Sequence, residues 1–193
     1  MVNKYNALSA NMSMKEINLK TAIELIQREE VILHGTETLL GFCGLATSES
    51  AAETIKQLKG RDNKKGFIIL TNTLDAIKDW IIPLTAEQQQ QITERDTPTT
   101  WLVPKSDLCP KHLTSAFPTL AIRVPKHSQI QELIHQIGAP VISTSANISQ
   151  EPPSTDIIKT SKVFPSIPVL KPILAMTGTP SNIIDLSSHH IVR

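Results

Sequence analysis

The sequence predicts an α/β protein whose strands are covered on both faces. Apolar runs such as residues 31–33 and 66–70 lack the polar alternation of a half-exposed strand, and such runs are typical of strands buried on both sides. Segments with helical periodicity separate these runs, and strands that alternate with helices indicate the α/β class. A chain of 193 residues is long enough to bury one substantial core.

Composition narrows the classes of function. The formal net charge is +1, so any basic site must be local, and only 4% of residues are aromatic, which argues against a stacking platform for single-stranded RNA. Cys43 and Cys109 lack CxxC spacing, which argues against a disulfide framework and fits a reducing compartment. Neither a signal peptide nor a run of roughly 18 apolar residues is present. We therefore expect a soluble, cytoplasmic protein without a membrane span.

The start of the chain predicts an arm followed by a helix. Residues 1–12 are predicted to be a flexible N-terminal arm, and residues 13–193 to form a single domain. Ser13 and Glu16 have the spacing of a capping box. The apolar stripe that follows, up to Ile26, has helical periodicity.

Strands and helices then alternate to the end of the chain. Strands are predicted over residues 31–33, 66–70, 99–103, 119–124, 141–142, 169–170 and 182–186. Helices are predicted over residues 48–58, 74–82, 85–91 and 127–137, with a short one from Ser154. Pro83 ends one of these helices, and Gly138 is a typical C-terminal stop for another.

The densest group of polar side chains follows the predicted strand at 141–142. Ser143, Thr144, Ser145 and Asn147 supply hydroxyls and an amide at the end of that strand, where ligands bind in open α/β sheets. The alternative is a strand-to-loop turn whose hydroxyls satisfy their own backbone. The density of short polar residues favours a ligand site.

A cationic segment follows the helix predicted over 48–58. It contains Lys59, Arg61, Lys64 and Lys65. Spacing alone favours a solvated loop whose charge complements the helix C-terminus. The alternative is phosphate binding, for which arginine offers a planar fork and lysine a mobile point charge.

Two further polar features follow or interrupt predicted strands. The first feature is the segment Thr36, Glu37 and Thr38, which follows a predicted strand. It could hold a small polar ligand, or a metal ion through Glu37. Alternatively, it caps the next segment. An isolated histidine such as His34 is more often a structural residue than a catalytic one. Arg123 lies inside an apolar strand and needs a partner, because a buried unpaired charge is costly; an internal carboxylate and a ligand carboxylate are equally open.

Several common motifs are absent from the sequence. It contains no GxGxxG, no GxxxxGK[ST] and no GxSxG. Rossmann and P-loop nucleotide binding and a hydrolase nucleophile elbow are therefore not supported. No His/Cys cluster has the spacing of a metal site.

Four motifs together carry a family resemblance. KGRDNKKG, LAIRVPKH, STSANIS and PSNIIDL occur in this order, and they resemble the YrdC/TsaC family of L-threonylcarbamoyladenylate synthases. The resemblance runs from about Lys15 to the C-terminus, where the short, single-domain form of the family also ends. It implies a YrdC-like fold, a twisted, open, mixed sheet with flanking helices and a concave basic cleft.

The resemblance also implies a reaction. L-threonine, bicarbonate and ATP would give threonylcarbamoyl-AMP and pyrophosphate, which makes the protein a nucleotidyltransferase. Mg²⁺ is expected to bridge the ATP phosphates, with no metal-ligating side chain assigned. A downstream complex would then transfer the threonylcarbamoyl group to adenosine 37 of tRNAs that read ANN codons, forming t6A. A weak direct contact with tRNA is compatible with this role.

The resemblance assigns roles to individual residues. The family's KxR…SxN tetrad falls on Lys59, Arg61, Ser145 and Asn147, which would hold the ATP phosphates and adenylate. Lys59 and Arg61 would be the catalytic cations, both expected to be solvent-accessible. Further ATP contacts would come from Lys65, Thr100, Ser143 and Ser181. Thr36, in the family's P-T-[DE]-T motif, and Arg123 would line the threonine site.

The chain departs from the family pattern at five positions. Gly35 replaces a usual proline, Leu40 a usual aromatic residue, and Asp62 a usual proline after the KxR. Thr97 and Gln150 replace usual glycines. Gly35 and Leu40 flank the expected threonine pocket and bear on specificity or rate. Asp62 adds a negative charge beside the expected phosphate site, which weakens ATP binding unless it points away.

Two other functions compete with the synthase. The first is an RNA-binding module of the same fold without synthase activity. The concentration of basic residues in 59–65, without interleaved aromatic residues, argues against RNA binding as the sole role. The second is a related carbamoyl or acyl adenylate enzyme that uses another amino acid.

Overall fold

A computed structural model describes residues 14–60 and 65–193 of the chain. The predicted arm at 1–12 and the predicted helix cap Ser13 lie outside these residues. Within them, six α-helices and one 3-10 helix flank a sheet of nine strands. The predicted α/β class is confirmed.

The sheet is open and mixed. Its strands are β1 (Glu16–Ile17), β2 (Ile32–Gly35), β3 (Leu40–Leu45), β4 (Ile68–Leu70), β5 (Thr99–Pro104), β6 (Thr119–Arg123), β7 (Val141–Ser145), β8 (Val169–Leu170) and β9 (Asn182–Asp185). Their spatial order is β1-β8-β2-β3-β7-β4-β6-β5-β9. The central strand β7 is antiparallel to both β3 and β4, whereas β4 and β6 are parallel.

The helices begin and end at residues with a clear local role. They are α1 (Leu19–Gln27), α2 (Glu49–Lys59), α3 (Ala86–Thr93), α4 (Lys111–Thr114), α5 (Ser128–Ile137) and α6 (Ile157–Val163), with a 3-10 helix at Asp75–Trp80. Ser48 caps α2 by accepting a hydrogen bond from the Ala51 N–H at 3.1 Å. Gly60 and Gly138 end α2 and α5 in the left-handed conformation that glycine adopts without strain.

Side chains on the central strands alternate between two hydrophobic cores. The core on the α2 side contains Leu33, Phe42, Ile69 and Ile142. Their neighbours in sequence, Ile32, Cys43, Leu70 and Val141, belong to the second core together with residues of α1 and α5. Both faces of the central strands are therefore covered, as the apolar runs predicted.

The predicted start of the first helix is wrong. Glu16–Ile17, assigned to a first helical turn, instead pairs in parallel with β8 as the edge strand β1. The helix begins after Asn18, whose side-chain oxygen accepts a hydrogen bond from the Thr21 N–H at 2.9 Å. Asparagine is a strong cap, and the pairing with β8 satisfies the backbone that precedes it.

Strand β3 was not predicted. Gly41 and Gly44 lie inside it, and glycines within a short segment indicate a turn rather than a strand. Tertiary packing accounts for Gly44: a Cβ atom there would lie 3.0 Å from the Ala51 Cβ of α2. The absence of a side chain thus lets α2 pack directly on the strand.

The later boundaries differ in smaller ways. The helix expected from Ser154 begins at Ile157, because Asp156 accepts a hydrogen bond from the Lys159 N–H at 2.9 Å and caps it. The segment predicted over 74–82 is helical but forms a 3-10 helix. Strand β7, predicted at 141–142, continues through Ser145 because β3 pairs with its polar end.

We expect Gly44→Ala to lower the free energy of unfolding by about 1–3 kcal/mol, because the added methyl group overpacks the contact between β3 and α2. Urea denaturation measures the effect. In the double variant with Ala51→Gly the opposing methyl group is gone, so the loss should be smaller than the sum of the two single losses. A double variant that loses the full sum contradicts this account of Gly44.

Candidate functional site

Helices α1 and α5 cover only part of one face of the sheet. The candidate site lies on the uncovered part of the same face. The same alternation that sends Ile32 and Val141 into the helix-covered core places His34, Ser143 and Ser145 on that face beyond the helices. The register sets Gly41 opposite both His34 and Ser145. Polar groups and a small residue therefore replace apolar ones where the helix layer ends.

A cavity of about 500 Å³ opens over this part of the sheet. Its size falls in the range of small-molecule sites. Most of the predicted site residues line it, namely Thr36, Lys59, Lys65, Arg123, Ser143, Ser145, Asn147 and Ser181. Within the described parts of the chain, the lining carries the cations Lys59, Lys65, Arg123 and Arg193 and no acidic side chain. This charge balance suits an anionic ligand.

Lys59 ties the end of α2 to the loop after β7. Its ammonium group donates to the Ser145 carbonyl oxygen, to the Asn147 carbonyl oxygen at 2.9 Å and to the Asn147 Oδ1 at 3.2 Å. The same group lies 5.9 Å from the centre of the Phe42 ring, which is within reach of a cation–π interaction. Lys59 is only 4% exposed. The expectation that it is solvent-accessible is therefore wrong, although it lines the cavity.

The loop after β7 is also held by Asn147. Its side-chain amide donates to the carbonyl oxygens of Ile148 at 2.9 Å and Glu151 at 2.6 Å. The Ser149 N–H donates to the carbonyl oxygen of Lys59 at 2.8 Å. Two segments that are 86 or more residues apart thus form one unit at the cavity wall.

The cationic segment is only partly described. Arg61, together with the departure Asp62, lies outside the described residues. Lys65 is exposed and lines the cavity. The predicted joint action of Lys59 and Arg61 therefore stays a prediction.

Thr100 is the one described member of the predicted ATP set that does not line the cavity. It is fully buried on β5, and its hydroxyl is 2.9 Å from the hydroxyl of Ser181. Ser181 lines the cavity instead, as does Leu102 two residues further along the same face of β5. Thr100 therefore contacts Ser181 below the cavity wall, and its predicted direct contact with ATP stays a prediction.

The Thr36 hydroxyl is engaged within its own turn. It is 2.8 Å from the Thr38 hydroxyl and also accepts hydrogen bonds from the Thr38 and Leu39 N–H groups. Thr36 is 5% exposed and lines the cavity. The Thr36 hydroxyl therefore organises the turn, and the turn forms part of the cavity wall. The predicted contact of this segment with a ligand stays a prediction.

Arg123 has an internal carboxylate as its partner. Its Nη2 is 2.5 Å from the Oε1 of Glu37, so one of the two alternatives left open by the sequence is observed. Burial acts to raise the pKa of Glu37, but the charge of Arg123, supported by hydrogen bonds, holds that pKa below its usual range. Arg123 still lines the cavity while paired.

Two buried histidines accompany the Glu37–Arg123 pair. His34 is fully buried, and its Nε2 lies 3.0 Å from the Ser143 hydroxyl oxygen. Burial lowers the pKa of His34 to about 3, and repulsion from His127 when it is protonated and from the Arg123 cation adds to this effect. Burial likewise lowers the pKa of His127. Both imidazoles are neutral at physiological pH, which agrees with a non-catalytic role for His34.

Gly35 lies beneath a segment from the C-terminal half of the chain. A Cβ atom at Gly35 would lie 3.2 Å from the Cγ of Pro172 and 3.4 Å from the Sδ of Met176. The Thr177 and Gly178 N–H groups donate to the carbonyl oxygens of residues 37 and 38 at 3.0 and 2.9 Å. The segment 172–178 therefore packs on the turn that carries Thr36.

The end of the chain contributes lining residues that the sequence analysis missed. Val192 pairs with Ile183 of β9 through an N–H to carbonyl hydrogen bond of 2.8 Å, which folds the last residues back on the sheet. Arg193 then lines the cavity, and its guanidinium donates to the Ser181 carbonyl oxygen at 3.3 Å. No local pattern marks these residues; only the neighbouring motif PSNIIDL indicated that this region is near a site.

Metal and membrane features were searched over the described residues. In residues 14–60 and 65–193, no group of three or more His, Cys, Asp or Glu side chains could hold a metal ion. Over the same residues, no helix has the length and apolar character needed to cross a membrane. Cys43 and Cys109 are unpaired and buried.

Comparison with known proteins identifies the family. The family model Sua5/yciO/yrdC, described as "Telomere recombination", matches residues 24–193. The chain belongs to the Sua5/YciO/YrdC family. The predicted resemblance to YrdC proteins is confirmed.

Individual members of the Sua5/YciO/YrdC family are similar over most of the chain. A protein named threonylcarbamoyl-AMP synthase from Yersinia enterocolitica is 34% identical over 86% of this chain and 90% of its own length. One of the same name from Pasteurella multocida is 32% identical over 92% of this chain and 99% of its own length. A variant of P. abyssi Sua5 is 26% identical, with a TM-score of 0.80 over 90% of this chain. The chain spans about half of that longer protein, 54%.

We expect the Glu37–Arg123 pair of this Sua5/YciO/YrdC domain to stabilise it in a pH-dependent way. The lowered pKa of Glu37 means that the pair contributes fully above the unfolded-state pKa of about 4.5, and that the contribution is lost as the pH falls through the folded-state pKa. Glu37→Gln should lower the free energy of unfolding at neutral pH by about 1–3 kcal/mol. The difference from wild type should shrink in acid.

Urea denaturation at neutral pH and at about pH 3 tests this expectation. Glu30→Gln, at an exposed carboxylate, is the matched control and should change the free energy of unfolding little at either pH. The Glu37 charge acts to raise the pKa of both His34 and His127, so the change in their titration is part of the measured difference. A pH-independent difference between wild type and Glu37→Gln contradicts the ion-pair account.

Proposed function

We propose that this protein is an L-threonylcarbamoyladenylate synthase. It converts L-threonine, bicarbonate and ATP into threonylcarbamoyl-AMP and pyrophosphate, and so acts as a nucleotidyltransferase in the t6A37 modification of tRNAs that read ANN codons. The synthase names of its relatives from Yersinia enterocolitica and Pasteurella multocida support this proposal. We place the reaction in the cytoplasm, as the sequence predicts.

One structural observation carries the proposal. A single cavity brings together Lys59, Ser145 and Asn147 of the tetrad with Thr36 and Arg123 of the expected threonine site. These five residues come from four separate segments of the sequence. The described lining also has cationic and hydroxyl groups without acidic side chains, which suits a reaction in which bicarbonate, ATP and the carbamate are all anions.

The chemistry assigns the protein a positioning role. The threonine amine captures bicarbonate as a carbamate with loss of water, and a carbamate oxygen then attacks the α-phosphorus of ATP while pyrophosphate leaves. No nucleophilic side chain is needed, because both nucleophiles belong to the substrates. Holding the carbamate and the phosphate in line, with their charges neutralised, is what the cavity supplies.

In this proposal the two ends of the cavity hold different substrates. The phosphates and adenylate lie along Lys59, Lys65 and the β7 loop, with Ser143, Ser145, Asn147 and Ser181 as polar contacts and Arg61 as a further cation. Thr36 and Arg123 line the threonine side. Mg²⁺ would be held mainly by the phosphate oxygens of ATP, because it gives up its water ligands reluctantly and uses few protein ligands.

The product defines the next step of the pathway. Threonylcarbamoyl-AMP is a mixed anhydride, so its acyl group is activated for transfer to an amine. We propose that a separate tRNA threonylcarbamoyl-transfer complex consumes it. Direct contact between this chain and tRNA is at most a weak addition, given a net charge of +1.

Pyrophosphate release tests the proposed reaction. The protein is incubated with ATP and Mg²⁺, and threonine and bicarbonate are omitted one at a time. Release is expected only when both are present. Faster release with another amino acid would indicate a related adenylate enzyme instead. No release from folded protein, together with ATP-independent and strongly salt-dependent RNA binding, would indicate the RNA-binding alternative.

Removing the charge of Lys59 should abolish most of this activity. Lys59→Met keeps an apolar stem in the buried site but loses the cation that lies between the β7 loop and the expected phosphates. Pyrophosphate release should fall at least about a hundredfold, the usual cost of losing one stabilising donor. Arg61→Ala is expected to have an effect of the same size.

Lys56→Met is the matched control for Lys59→Met. Lys56 lies on the same helix and pairs with Glu53 at 3.7 Å, and it does not line the cavity. Its substitution should leave pyrophosphate release within about twofold of wild type. Circular dichroism verifies that each variant is folded. Turnover of the Lys59→Met variant close to wild type would remove Lys59 from the phosphate site.

A further inference from the structure

The contact between His34 and Ser143 links a buried side chain to the cavity. His34 is fully buried on β2, and its Nε2 lies 3.0 Å from the Ser143 hydroxyl oxygen on β7. Ser143 itself lines the cavity. Gly41, between them on β3, leaves the space for this contact, since a Cβ atom there would lie 3.2 Å from the His34 Nε2 and 3.4 Å from the Ser143 oxygen.

The partners of the ring favour one tautomer of His34. A neutral imidazole has one N–H donor and one acceptor nitrogen. Within the described residues, the Nδ1 of His34 is buried and has no hydrogen-bond partner. If Nε2 accepted from Ser143, the hydrogen on Nδ1 would be a buried donor without an acceptor. Orphaned buried N–H groups are rarer than under-used acceptors, so the Nε2–H tautomer is favoured.

We propose that His34 is a positioning residue whose Nε2–H donates to the Ser143 oxygen and so turns the Ser143 hydroxyl hydrogen into the cavity. The hydroxyl is then a donor prepared for an anionic oxygen of the ligand. This inference rests on the proposed function, because it assumes that the ligand beside Ser143 carries phosphate or carbamate oxygens.

The physical effect is one of preorganisation. A serine hydroxyl can rotate its hydrogen toward any nearby acceptor, including the carbonyl groups of its own strand. A donor already bound to its oxygen removes that freedom, so the hydroxyl need not reorient when an anion binds. His34 would thus affect the ligand without touching it.

Nitrogen-15 NMR of the ring tests the tautomer directly. Histidine-labelled protein is measured without ligand, and the His34 signals are assigned among the six histidines by their loss in His34→Gln. A protonated Nε2 and an unprotonated Nδ1 support the proposal. The opposite tautomer, or a doubly protonated ring at neutral pH, overturns it. This readout does not depend on catalytic activity.

A double-mutant cycle tests the link to the ligand. His34→Met removes the donor, whereas His34→Gln places an amide N–H near the position of Nε2. We expect kcat/KM for ATP to fall about tenfold in His34→Met, the worth of roughly one hydrogen bond, and to be largely retained in His34→Gln. In the Ser143→Ala background, the Met and Gln substitutions should differ by less than about twofold.

The outcomes separate this inference from the proposed function. Equal losses in His34→Met and His34→Gln, or a loss that persists unchanged in the Ser143→Ala background, would mean that His34 acts through packing, and would overturn the inference while the synthase activity stands. A folded wild type that releases no pyrophosphate with threonine and bicarbonate present would overturn the proposed function itself, and the ligand-directed part of the inference with it.

Discussion

The ammonium of Lys59 joins the two parts of the molecule from which the cavity is built. It lies at the C-terminal end of α2 and donates to the carbonyl groups of Ser145 and Asn147 beyond β7. Helix C-termini favour cations, and a buried ammonium needs several oxygen partners to offset its desolvation. The loop supplies them, so the position of the loop and the burial of the charge depend on each other. The Lys59 hydrogen bonds therefore fix the cavity wall that is formed by the end of α2 and the loop after β7.

The alternation of side chains on the sheet determines what the cavity contains. One face of the central strands is apolar where α1 and α5 pack on it; beyond these helices β7 presents Ser143 and Ser145 to the cavity, beside apolar lining residues such as Ile68. A shift of β7 by one residue would exchange its two faces, which would bury the hydroxyls of Ser143 and Ser145 in the α2-side core. The pairing of β7 with both β3 and β4 fixes this register, so the same hydrogen bonds that stabilise the sheet also orient the site.

Local signals in the sequence predicted much of the fold. Gly138 acts on its own helix, and it was predicted as the C-terminal stop where the structure has it. β3 was missed because Gly41 and Gly44 look like turn residues in the local sequence. They are required because side chains from distant segments pack against them. The candidate site likewise had a part that sequence motifs predicted and a part that depends on contacts between distant segments. Motifs placed Ser143, Ser145 and Asn147 at the cavity, whereas the burial of Lys59, the pairing of Arg123 with Glu37 and the approach of Arg193 depend on contacts between distant segments.

Pro172 and Met176 pack closely on Gly35. The conformation of the turn at 34–38 therefore depends on a second, distant segment of the chain. Hydrogen bonds from residues 177 and 178 to the backbone of residues 37 and 38 reinforce that dependence. A motif transplanted from another family member into this turn would carry its side chains but not its geometry. Exchange of this turn between relatives therefore has to include residues 172–178, so that the two segments are inherited as a unit.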